Sequence, residues 1–253
     1  MKNVYSVLLG ILVLSVMSCS NEEPRTMQDS KSSALSQREV FRLYDAYANS
    51  AIESFNAEIN SFNPVMSRSS SDTLTAYSLA TLLGEMSMEE IDSLTEIIRA
   101  KYPDVNDTIS VELALDSFID TTSPEEGALY MEFVAQYPEK VDKMSYLSSV
   151  VANKPGKIQK TYIATAATLD KIATPIANGL VSAKTVHSGG TGYVGDCEKK
   201  LLADLSAMCA GDVMVEFWGG GPEDIAADVT CTAGDVADVI VAVHSYYDCK
   251  HGR

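Results

Sequence analysis

Apolar residues spaced by three or four constrain this chain more than any other feature in it. Val40, Tyr44, Tyr47, Ala51, Phe55, Ile59 and Phe62 form one such series, and no segment of any length alternates in steps of two. A period near 3.6 gathers the series on one helical face, whereas a half-buried strand needs a period of two. An all-α fold is therefore expected, with few strands. The punctuation agrees. Ser36-Gln37-Arg38-Glu39 and Ser87-Met88-Glu89-Glu90 read as capping boxes, in which the serine accepts the glutamate amide and the glutamate returns to the serine amide. Ser123-Pro124-Glu125-Glu126 starts another helix, with proline at the first helical position, where its missing N–H costs nothing. Asn63-Pro64 and Pro103 end helices, and Pro138 is read as opening one that runs through Val150.

The 253 residues include 46% hydrophobic types, enough to bury a core in one large or two small domains. A net charge of −16 opposes binding to nucleic acid, whose phosphates would repel it. The charge is uneven. Residues 20–138 carry 21 acids against 7 bases, residues 150–188 five lysines against Asp170 alone, and residues 190–253 carry 11 acids against 4 bases. Within the basic part, Ile158, Tyr162, Leu169, Ile172, Ile176 and Leu180 keep helical spacing among Ala, Thr, Ser and Lys. Residues 157–186 thus read in two ways. They are either a core helix whose small residues allow close packing, kinked at Pro175, or a basic amphipathic stretch able to lie on an anionic membrane.

Ser188-Gly189-Gly190-Thr191-Gly192 breaks the helical pattern and sets off a last module of residues 188–253, after a helical domain of residues 36–187. Four cysteines lie in the module: Cys197, Cys209, Cys231 and Cys249. Spacings of 12, 22 and 18 residues contain no Cys-x-x-Cys pair, which disfavours zinc, and no metal or other cofactor is expected. Disulfides are expected instead. Cys197 and Cys209 share one helix, and twelve helical residues span about 18 Å, beyond the reach of an S–S bond. Three helices at residues 196–210, 222–230 and 235–248, running up, down and up, would favour Cys197–Cys231 with Cys209–Cys249. The rival is Cys197–Cys249 with Cys209–Cys231. Either set would brace a module too small to bury more than a thin core.

The first residues read as an export signal, residues 1–18, followed by a polar tether, residues 19–35. Lys2 precedes an apolar stretch of residues 4–16, too short to span a bilayer, which takes about 20 residues. Val16-Met17-Ser18-Cys19 resembles the lipobox of bacterial lipoproteins, which implies cleavage before Cys19 and lipidation of its thiol. Glu22 and Glu23 after that cysteine look like the start of surface lipoproteins of the Bacteroidota. Asp72-Thr73-Leu74, Asp92-Ser93-Leu94, Asp107-Thr108-Ile109 and Asp120-Thr121-Thr122 are similar to the O-glycosylation acceptor of that phylum, which nominates Thr73, Ser93, Thr108 and Thr121. The resemblance implies an outer-membrane or cell-surface address and attachment to the membrane through lipid.

Enzyme signatures do not emerge. The three histidines, His187, His244 and His251, form no His-Glu-x-x-His, there is no Gly-x-Ser-x-Gly, and Gly219-Gly220-Gly221 lacks the Lys-Ser/Thr of a phosphate loop. Non-enzymatic roles are expected. In the first, the protein is a bacteriocin-like toxin: acidic parts mask the basic segment, an envelope protease cuts at a basic site such as Arg68, and the released part meets a receptor on related bacteria. Gly189-Gly190 resembles the leader end of some exported antibacterial peptides. In the second, the chain is a surface binding or structural lipoprotein. Trp218, beside three glycines, would then be either a binding anchor or a core residue.

Overall fold

Ala and Thr dominate residues 161–168, and every one of those eight is buried. In the computed structural model, which describes residues 35–62, 75–103, 108–188, 195–219, 229 and 231–252, this stretch is the central helix. We number the helices in chain order: α1 Gln37–Phe62, α2 Ala76–Glu85, α3 Met88–Lys101, α4 Thr108–Thr121, α5 Pro124–Gln136, α6 Lys143–Val151, α7 Gly156–Thr168, α8 Thr174–Ser188, α9 Asp196–Trp218 and α10 Ala233–His251. No strand occurs among the described residues, as the sequence periodicity predicts.

Burial on all sides over residues 161–168 favours the core reading of that stretch. α7 is a core helix rather than a surface-lying amphipathic one, because its small side chains let α1, α6, α9 and α5 pack around it. Its threonines enter the core with their hydroxyls satisfied. Thr161, Thr165 and Thr168 donate to the carbonyls of Lys157, Thr161 and Ala164 at 3.0, 2.9 and 3.0 Å. The kink expected at Pro175 takes the form of a π-helical turn, Leu169–Ala173, directly before α8. Proline lacks the N–H of the regular ladder and its ring crowds the carbonyl four residues back; widening the preceding turn accommodates both.

α2 lies along α8 through paired small residues. A Cβ built on Gly84 would stand 2.8 Å from the Ala183 Cβ, and one on Gly179 would stand 2.8 Å from the Ala80 Cβ. The two backbones meet at a distance only glycine permits.

The capping signals placed three helices as read. Glu39 Oε2 accepts the Ser36 amide at 2.8 Å, Glu90 Oε2 accepts the Ser87 amide at 2.7 Å, and Ser123 Oγ accepts the Glu126 amide at 3.2 Å behind Pro124. Pro138 opens only a 3-10 turn, Tyr137–Glu139, and α6 begins after it with Asp142 accepting the Ser145 amide.

All described residues belong to one compact unit, residues 33–253. The break read at residue 188 does not divide two cores. Leu201, Leu205, Val213 and Phe217 of α9 and Val236, Ile240 and Val243 of α10 join the same buried cluster as Phe55 of α1, Leu83 of α2 and Tyr162 of α7.

Candidate functional site

The C-terminal hairpin of α9 and α10 carries the cysteines and the tryptophan that the sequence nominates there. Cys197 begins α9 and Cys249 ends α10; antiparallel packing brings them to one end, and they form a disulfide with Cα atoms 5.7 Å apart. The favoured pairing, Cys197–Cys231 with Cys209–Cys249, is therefore overturned. Its premise was a module of three helices with α9 ending near Ala210. α9 instead runs on to Trp218, and the end-to-end relation of α9 and α10 sets the bond. Cys209 and Cys231 are free thiols, both buried, so the second half of the rival pairing is not formed either.

Around the disulfide, the buried Glu198 receives Lys250 in an ion pair and accepts the Tyr246 hydroxyl at 3.4 Å. The hydroxyl of Tyr247, next in the chain, donates to the Leu83 carbonyl at 2.8 Å, with the Gly84 and Met86 carbonyls each 3.2 Å away. It ties α10 to the end of α2, whose last carbonyls have no partner within their own helix. Burial first, and then the charge of Glu90, push the Tyr247 hydroxyl up to about 12. His244 bridges to α3, with Nε2 2.9 Å from Asp92 Oδ1 and Nδ1 3.6 Å from Asp248 Oδ2.

At the other end of α9, Trp218 is not an exposed anchor. The helix continues through it, so its ring sits on the buried face and only 7% of the residue is exposed. Its indole N–H donates to Thr161 Oγ1 at 3.1 Å, its ring meets Phe118 edge-on at 5.0 Å, and the Lys157 ammonium lies 4.0 Å from the ring. Two of the lysines of the 150–188 segment, Lys154 and Lys157, are thereby absorbed. Lys154 pairs with Glu126 at 2.5 Å, and the same carboxylate accepts the Tyr162 hydroxyl at 2.7 Å.

A second carboxylate hub sits in the π-helical turn. Asp170 accepts Tyr44 and Tyr137 hydroxyls at 2.7 and 2.8 Å and the Lys143 ammonium at 2.5 Å. Burial and then the neighbouring carboxylate hold both tyrosines well above their ordinary range, as burial and Glu126 do for Tyr162. These hubs join α1, the Tyr137–Glu139 turn and α6 to the π turn, and α5 to α7. They are structural clasps whose donors and acceptors answer one another.

The chemistry available to the thiols follows from their surroundings. Burial and nearby carboxylates push Cys209 and Cys231 up, away from the thiolate form that attacks or binds metal. No group of three or more metal-ligating side chains occurs among the described residues. An open groove between the start of α1 and α6 is lined by Leu35, Val40 and Val151 and by Ser145, Ser148 and Ser149. Its walls hold hydroxyl and aliphatic groups and the Gln37 carboxamide, without a titratable side chain to act as acid or base.

Of the proposed glycan acceptors, Ser93 is exposed on α3, and Thr121 is exposed at the end of α4 with its hydroxyl donating to Ser117 O at 2.7 Å. Thr108 is the first residue of α4. Cys19, Arg68 and Thr73 lie outside the described residues. Sequence reasoning missed the carboxylate hubs and the cap of α10, in which Asp235 accepts the Thr232 amide. The Thr232-Ala233-Gly234-Asp235 spacing carried a local signal for the latter. No helix among the described residues is long and apolar enough to cross a membrane. No family model matches the chain, and neither a curated protein nor a solved structure matches it.

Proposed function

We propose that this chain is an exported, lipid-anchored surface protein whose helical unit is a non-enzymatic binding or structural module. One observation carries the choice between this reading and the toxin. The 150–188 segment and the C-terminal hairpin share one core with the acidic helices, through Trp218 on Thr161 and through α9 leucines beside α7. A toxin would have to tear this core apart to free either part. The disulfide supports export, since such bonds persist in oxidising compartments. Attachment would be through lipid on Cys19, and the exposed Ser93 and Thr121 would be open to glycan transfer.

The antibacterial reading keeps one observation in its favour. The disulfide is internal to the hairpin, so a cut ahead of Asp196 would release a covalently closed piece. It would need the envelope protease and the target receptor named above.

Affinity capture of the full-length protein from intact cells tests the choice. On the binding-module reading the native protein is recovered uncut, in the envelope fraction, with a stable glycan or protein partner. Recovery mainly as fragments, together with growth inhibition of related bacteria by the purified hairpin, would overturn it.

A further inference from the structure

Four lysines among the described residues are answered by carboxylates: Lys143 by Asp170, Lys154 by Glu126, Lys200 by Asp204 and Lys250 by Glu198. Lys157 enters no ion pair there. Its ammonium lies instead over the indole of Trp218, 4.0 Å from the ring centroid. That ring cannot turn away, because its N–H is held by Thr161 Oγ1 at 3.1 Å and Phe118 meets it edge-on at 5.0 Å.

The place is a poor one for a positive charge. Lys157 is the second residue of α7, where the free N–H groups of the first helical turn repel a cation. It is also half-buried, so part of the hydration that an ammonium needs is lost, and no described carboxylate replaces it. The flanking charges do not help: Lys154, three residues before, is taken by Glu126 at 2.5 Å, and Lys160, one turn on, is a second cation. The indole face attracts the ammonium, but by an amount of the same order as the repulsion from the helix start. Burial is left uncompensated, and it holds Lys157 below the ordinary lysine range. Lys101 gives the contrast. It too lies near an aromatic ring, 5.1 Å from that of Tyr102, but it is exposed and ends α3, where the helix terminus favours a cation.

We propose that Lys157 is a covalent modification site, the amine of the helical unit that activated acyl groups take first at neutral pH. Its unprotonated Nζ adds its lone pair to the acyl carbon, the leaving group departs with the bonding electrons, and the proton lost from nitrogen passes to solvent. An uncharged amide remains over Trp218. Half-burial serves the reaction in two ways, since it favours the neutral amine and still leaves Nζ open to a small reagent. The tryptophan beneath it makes the event visible, because a charge beside the indole is lost when the amide forms.

The test uses the full-length protein with its disulfide intact and a limiting amount of N-acetoxysuccinimide, with each lysine's acetylation rate read by peptide mass spectrometry. At about pH 7, Lys157 should be acetylated at least about twofold faster than Lys101, and the ratio should fall as the pH approaches about 11, where both amines are largely neutral and the exposed one is easier to reach. In urea the preference should vanish. Trp218 emission should change in step with occupancy of Lys157 and stay constant in Lys157→Arg, which keeps a cation over the ring without an amine to acylate. Four results would overturn the site: a ratio below about two at pH 7, a ratio that does not fall with pH, a preference that survives unfolding, or the same emission change in Lys157→Arg.

Discussion

Removing the disulfide should cost this protein more stability than any single contact it contains. Cys197 and Cys249 are 52 residues apart in sequence. Closing a loop of that length removes about 14 cal/mol/K of chain entropy from the unfolded state, hence about 4 kcal/mol at 25 °C in the entropic model. The native state would change little. The Lys250–Glu198 ion pair and the packing of Tyr246 already hold the two helix ends together. For a cooperative unit of about 220 residues, 1 kcal/mol corresponds to about 2–4 °C in melting temperature. The Cys197→Ser, Cys249→Ser double variant should therefore melt about 8–16 °C lower by calorimetry, with an unchanged helical spectrum before the transition. Reductant should lower the parent protein to the same temperature and leave the double variant where it is. A double variant within about 2 °C of the parent would refute the entropic reasoning. A further drop when the double variant is reduced would show Cys209 and Cys231 to be bonded rather than free.

Three other outcomes are expected. Gly179→Ala sets a Cβ 2.8 Å from that of Ala80 and should destabilise by about 1–2 kcal/mol in urea titration, whereas Gly156→Ala meets nothing within 4 Å and should stabilise by about 0.5 kcal/mol. The chain has one tryptophan, Trp218, so its fluorescence reports the core. Emission should be blue-shifted and resist iodide quenching, and ready quenching would contradict its burial beside Thr161. Burial and neighbouring acids hold the Asp212 and Asp235 carboxyls above their ordinary range, so the stability they contribute is full below about pH 4, where the unfolded chain is protonated too, and is lost as pH rises through that raised range. Stability from urea titration should fall by up to about 1.4 kcal/mol per pH unit there, and Asp212→Asn should be flatter. A parent protein that gains stability from this pair on going alkaline would reverse the sign of the argument.

What the sequence made legible was local chemistry. Ser36, Ser87 and Ser123 announce α1, α3 and α5 because a cap is settled within four residues. Pro138 and Pro175 were harder, since a proline forbids a regular ladder without specifying the alternative. One became a 3-10 turn and the other forced a π turn. The core position of α7 was only half legible. A helix of Ala and Thr buried on all sides has little amphipathic contrast, and the surrounding lysines gave it the look of a basic face. Disulfide pairing depended on helix ends: letting α9 end near Ala210 changed which cysteines would meet, and the helix expected over residues 222–230 lies, apart from Val229, outside the described residues. The carboxylate hubs were out of reach, because Asp170 meets Tyr44 across 126 positions and nothing near either residue signals the other.

The fate of the lysines changes what the charge pattern means. Counted along the chain, residues 150–188 are a basic island between acidic neighbours. In the fold, Lys154 is consumed by Glu126 and Tyr162, Lys157 is spread over Trp218, and, outside the island, Lys143 is consumed by Asp170 and Lys250 by Glu198. Cations placed on buried or half-buried partners inside the molecule contribute little attraction beyond it, while α4 presents Glu112, Asp116 and Asp120, all exposed, one turn apart. Such a surface is repelled by anionic lipid headgroups, within a screening length of about 8 Å at physiological salt. On the surface-lipoprotein reading, α4 would then add no electrostatic grip to the anchor. Retention at the membrane would then rest on the acyl chains that this reading places at Cys19.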